Sequence, residues 1–386
     1  MRSRRRVVSA GPARTPRPQP YPIALLVLLP GLALGAGPAA ALQSEPAPPM
    51  SGHSGHPAAA PSVAALEVID DPANETLTIA LGPIDLPAGI THHELAQLPV
   101  QEGTYPFDFT IRGFHVEAVD AEGDPVPQAV IHHLNLLDPG RRELFLPIML
   151  RVIAASHETP PVRVPGWLFG IPMRGGAPFL ALTMLHNPTG RTYRGVTIRL
   201  VLEYERSRSL PLYPLVPWHI DTMFPTGSKA FDLPPGEFRK SYAASPAVHG
   251  LIVGLGGHLH RYATALRLED VTTGETLYEA EIETDEEGHL REIPVMLHRG
   301  KGPGLLIEPD HVYRVTAEYF NPTGETIPDG GMGSVGGAFI PLEDWPLSNP
   351  GDPLYAADYE WVLDSLGHEA MSMEHDHTEM PRPRRP

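Results

Sequence analysis

From Leu66 onward apolar and polar residues alternate in short runs: "TLTIAL", "FDFTIRGFHVEAV", "QAVIHHLNLL", "PFLALTML" and "GVTIRLVLEY". Each run is bounded by Pro, Gly, Asn or Asp. A period of two puts one face of a strand in a core and the other in water, and the bounding residues are turn formers. The pattern resumes with "HGLIVGLGGHLHRYATALRLEDV", "ETLYEAEIE", "VYRVTAEYF" and "GGAFIPL", after the proline-punctuated "RSRSLPLYPLVPW". This predicts an all-β chain of two consecutive β-sandwich, jelly-roll-like domains at 66–206 and 218–350, joined by a junction at 207–217. A short helix and a His/Met-rich polar tail are expected over 351–386.

An internal echo supports two related halves. "MLHNPTGRTYRG" and "EYFNPTGETIPDG" both read Asn-Pro-Thr-Gly-x-Thr after an apolar strand, with Asn187 and Asn321 134 residues apart. Runs carrying histidines, "VIHHLNLLD" and "GHLHRYATALRLED", precede them in the same order. Repeats of this kind suggest duplicated sandwiches.

Composition narrows the class. Pro 46 and Gly 37 favour strands and turns over a helical bundle. The formal charge is −17, and it becomes −23 without the first 41 residues, which hold six arginines and no acids. So acidic a surface repels nucleic acid. "MRSRRR", the apolar "IALLVLLPGLALGA" and the small "PAAA" read as a secretory signal ending at Ala41, and "SRRRVV" also resembles a twin-arginine signal. The apolar run is too short to span a membrane comfortably. Residues 42–65, rich in Pro, Ala and Ser, read as a disordered linker. An exported product, periplasmic or extracellular and soluble after signal removal, is expected. With Cys 0 there is neither disulfide nor thiolate.

Any metal must therefore use His, Met, Asp or Glu. His258 and His260, at i and i+2, share a strand face and are either a solvated pair or one jaw of a metal site. His132 and His133 would face opposite sides of a regular strand, so joint ligation needs a bulge. His186 closes an apolar run and either caps a turn or opens a site. Met332, in "PDGGMGSVGG", reads as a methionine in a glycine-rich loop, packed back on the surface or offered as a soft thioether ligand. "MSGHSGH" and "MSMEHDHTEM" are solvated tails or weak copper scavengers. Histidines 92, 93, 115, 157, 219, 249, 289, 298 and 311 read as structural or surface groups.

The order His-His, His at a strand end, His-x-His, then Met resembles the copper type II, ascorbate-dependent monooxygenases, over approximately 105–345. The resemblance implies two sandwiches with a copper on each facing an interdomain cleft. One copper would take His132, His133 and His186 and relay electrons from ascorbate or a similar donor. The other would take His258, His260 and Met332, the catalytic set, and hydroxylate a C–H bond of a small-molecule or peptide substrate with O2. Gly256, Ser334 and Gly336 stand where the peptidylglycine enzymes carry their carboxylate-binding arginine, asparagine and tyrosine, which speaks against that substrate. The alternatives are a non-catalytic periplasmic copper-binding or storage protein on the same scaffold, and a carbohydrate- or partner-binding sandwich holding zinc or nothing.

Overall fold

A computed structural model describes residues 65–368, except 93, 158, 165–167, 207–210, 212, 286–287, 292 and 298–303. The signal segment, most of the linker and the Met/His tail after His368 lie outside the described residues. Among those described, strands form four sheets paired into two sandwiches.

In the first sandwich, the path Ala65–Asp71, Thr76–Leu86, Tyr193–Glu205, Phe109–Val119, Phe169–Met173 builds one sheet, extended by Tyr213–Pro214. Facing it is the sheet Gln101–Thr104, Pro178–Leu185, Ile131–Arg142, Met149–Ala155. The alternation places every second residue inward: Leu77, Ile79 and Leu81 from one strand meet Ile198, Leu200 and Leu202 from its neighbour, and Leu134 and Leu136 close the core.

The second sandwich repeats the plan. Val216–Asp221, Ile327–Pro341 and Gly250–Leu259 run side by side in one sheet; Gly236–Ala244, Tyr313–Asn321, Ala263–Asp270 and Glu275–Glu281 make the other. The repeated Asn-Pro-Thr-Gly turn explains itself here. The Asn187 side chain is buried and donates to the carbonyls of Leu86, Pro87 and Arg191, while accepting from Thr189. Asn321 does the same with Leu233, Glu325 and Thr323. Each amide ties a turn to the strand beside it.

The sandwiches exchange elements. Leu144, Phe145, Leu146 and Ile148, on the connection between two strands of the first sandwich, are buried in the core of the second. Each such side chain is worth about 1.5–3 kcal/mol of burial. In return the helix Pro353–His368 lays Tyr355 and Val362 on Leu137, Met149 and Leu180 of the first sandwich. Among the described residues no helix is long and apolar enough to cross a membrane.

One element differs from expectation. The glycine-rich stretch around Met332 is no loop but the middle of the 15-residue strand Ile327–Pro341. Its glycines are there for close packing, not for turning. A Cβ on Gly331 would strike the Phe231 ring, and one on Gly337 the Gly254 carbonyl. Another correction concerns the cleft. The two histidine sets expected to face each other across solvent are in ring contact, because the exchanged segments draw the sandwiches together.

Candidate metal centre

The ladder between Pro178–Leu185 and Ile131–Arg142 pairs Met184 with His133 and then Leu185 with Ile131. His132 is left as the extra residue of a bulge, and both neighbouring rings stay near one another, with centroids 4.4 Å apart. His186 follows the paired strand directly and lies 5.2 Å from His132. These three residues, predicted together, are together.

Two further histidines join them from loops. His92 stacks against His132 at 4.6 Å, and His157 lies 6.5 Å from His186. Gln97 holds the His92 loop in place: its amide nitrogen donates to the carbonyls of His92 and Leu185, and its oxygen accepts from the Leu185 N–H. The His157 N–H donates to the Ile131 carbonyl, fixing that loop beside the bulge. Sequence reading passed over both, because loop residues carry no periodicity to mark which way they turn.

On the second sandwich, His258 pairs with Ser334 and Leu259 with Gly333, and the strand ends there, just before His260. Ser334 in turn pairs with Asp221. Opposed residues share a sheet face, so Asp221, Ser334 and His258 look the same way, and Met332, two residues before Ser334, is on that face of its strand. The His258 and His260 rings are 5.5 Å apart, and His258 is 6.0 Å from His133 across the seam. The buried Tyr319 hydroxyl fixes this corner. It accepts from the backbone N–H groups of His260 and Met332, both at 3.1 Å, and donates to the Met332 carbonyl.

The electrostatics favour neutral imidazoles. Burial, then neighbouring histidines, brings His132 down to about 3. His133 is driven well below the usual range by burial and then by His132 and His258. For His258 burial leads and His260 adds, against the pull of Asp221, giving about 4. Burial lowers His186 as well. Its Nε2 lies 2.6 Å from the Ala129 carbonyl, which can only accept, so the lone pair is on Nδ1. His132 Nδ1 and His258 Nε2 are buried with no hydrogen-bond partner. Such orphans are rare in folded proteins.

Beneath the seam is a buried ionic cluster that sequence reading missed. His219 Nδ1 is 2.9 Å from Glu143 Oε1 and its Nε2 3.4 Å from Asp221 Oδ2, although neither contact is aligned as a hydrogen bond. Burial opposes a charge on His219, but Glu143 and Asp221 outweigh it and raise its pKa. Asp221, despite burial, is brought to about 2 by His219 and neighbouring cations. Glu143 accepts the Arg151 N–H, and Asp358 of the helix accepts the Met149 N–H.

No protein-family model matches the chain, and no curated protein does. Among solved structures, similarity is found to the STIV major capsid protein, with TM-score 0.36, 11% identity, 69% of this chain and 97% of that one covered. The structure of Sulfolobus Turreted Icosahedral Virus gives 0.32 and 10%, covering 80% and 98%. A structure of PNGF-II gives 0.24 and 8%, covering 70% and 60%. Likenesses this distant carry no argument about what the chain does.

The findings correct the copper-monooxygenase reading. No family model matches the chain, and among the described residues no three His, Cys, Asp or Glu side chains already close on one point. The hydroxylase activity and the enzyme assignment fall with it, as do the storage-protein alternative and the copper vocabulary attached to both. The rings are packed edge to face, at 77–88° across the pairs linking His186, His132, His133, His258 and His260.

Proposed function

We propose that this chain is a non-enzymatic double β-sandwich whose halves are pinned at their seam by a transition-metal ion. The ligands are His133 from the first sandwich and His258 and His260 from the second. One observation carries the reading: His133 meets His258 at 6.0 Å across the seam, where His258 Nε2 is buried without a partner. A buried imidazole held neutral is a ready ligand, and an ion supplies the partner that the protein lacks. Zinc is an ion that imidazole suits. The basic and apolar N-terminus supports export, which cell fractionation would check.

Native mass spectrometry of the full chain, loaded with zinc and passed through a weak chelator, tests this. At least one retained ion is expected, lost in His133→Ala and in His258→Ala. Retention unaffected by either change overturns the proposal.

A further inference from the structure

The outer face of one sheet in the second sandwich carries a row of alternating charges. Arg239 of Gly236–Ala244 lies opposite Glu318 of Tyr313–Asn321 and meets its carboxylate at 2.7 Å. The same Glu318 is 3.3 Å from Arg267 of Ala263–Asp270, which in turn lies 2.7 Å from Glu279 of Glu275–Glu281. The row therefore reads plus, minus, plus, minus across all four strands and ends at a sheet edge on either side. Its inner members are largely covered by their neighbours, whereas the side chains of Arg239 and Glu279 are 66% and 49% exposed. We infer that this sheet joins a second copy of the chain edge to edge, Glu275–Glu281 of one copy against Gly236–Ala244 of the next, so that Glu279 meets Arg239 and the row continues. The inference is independent of the seam ion.

Both edges suit such pairing. Among the described residues each of the two strands has a single neighbour in the sheet, which leaves the N–H and C=O groups of its other side open to a partner strand. Neither strand contains a proline, and neither Gly236–Ala244 nor Tyr278–Glu281 is broken by a bulge. The three pairings within the sheet are antiparallel, so its first and fourth strands run in opposite directions, and a copy added in the same orientation keeps the alternation. The net charge of −17 repels a second copy at a distance, but at physiological salt that repulsion is screened beyond about 8 Å, and the edge contact is shorter than that. The two joining surfaces differ, so the contact is heterologous. Each copy leaves one edge for the next, giving a ring if the rotation closes and an open filament if it does not.

Sedimentation velocity of the full chain over rising concentration at physiological salt tests this. Wild type should form species larger than a dimer. Arg239→Glu and Glu279→Arg should each stay monomeric with wild-type circular dichroism. Mixed together, they should give a one-to-one dimer that grows no further, because the first keeps only its Glu279 edge and the second only its Arg239 edge. The mixture also separates lost charge from lost fold, since a chain without its sheet has no edge to pair. A wild type that stays monomeric or stops at a dimer, single variants that still assemble, or a mixture that remains monomeric would each overturn the inference.

Discussion

His133 and His258 lie 125 positions apart in the chain, on different sandwiches, and their rings stand 6.0 Å from one another. That contact makes the seam a place where stability and charge meet.

An ion bound at the proposed seam site would stabilise the whole fold. A ligand that binds only the folded state at a thousandfold excess over its Kd adds about 4 kcal/mol. Calorimetry with zinc should show a rise in Tm of several degrees that His133→Ala abolishes. An unchanged Tm in wild type would count against the seam site.

Acid should loosen the ion-free protein. His132, His133 and His258 have folded pKa values below their unfolded ones, so between those values the unfolded chain binds more protons. Their contribution is complete above about pH 6.5 and is lost as pH falls toward about 4 at His258 and about 3 at His132. His219, raised instead, works in the opposite sense, contributing most at low pH. Denaturant midpoints should fall from pH 7 to pH 4, and less steeply in His133→Phe. A flat profile would contradict neutral imidazoles in the native state.

Tyr319→Phe keeps the ring but removes the hydroxyl that joins His260 to Met332. Leaving these backbone groups without their partner should cost about 1–3 kcal/mol. The Met332 strand should also exchange its amide hydrogens faster. Wild-type exchange at Met332 would show that the hydroxyl does not hold that corner.

The two turn asparagines should behave as a matched pair. Asn187→Ala and Asn321→Ala each free several buried backbone carbonyls, and the two losses should add within about 0.5 kcal/mol because the sites share no partner. Urea unfolding of the single and double variants measures it. Strong non-additivity would mean that the sandwiches do not hold these turns independently.

Most strands were legible because one face of each is buried, and burial writes a period of two into the residues; "PFLALTML" is the strand Pro178–Leu185 to the residue. The Met332 segment was not, since glycine serves both a turn and a close strand crossing, and only the neighbouring Phe231 and Gly254 decide between them. Of the site, the His258/His260 pair and the bulge needed at His132 could be argued from strand geometry. His92, His157 and the Tyr319 hydroxyl could not, because loop conformation and contacts across sheets leave no local pattern. The seam itself depends on Leu144–Ile148 crossing into the other core, an exchange that no single segment records.

X-ray absorption on the protein loaded with one equivalent of zinc tests the central claim most directly. The account predicts nitrogen scatterers at about 2.0–2.1 Å with the outer-shell pattern of at least two imidazoles, reduced in His258→Ala and in His133→Ala alike. A spectrum without imidazole scattering, or one that neither substitution alters, would contradict a metal ion joining the two sandwiches.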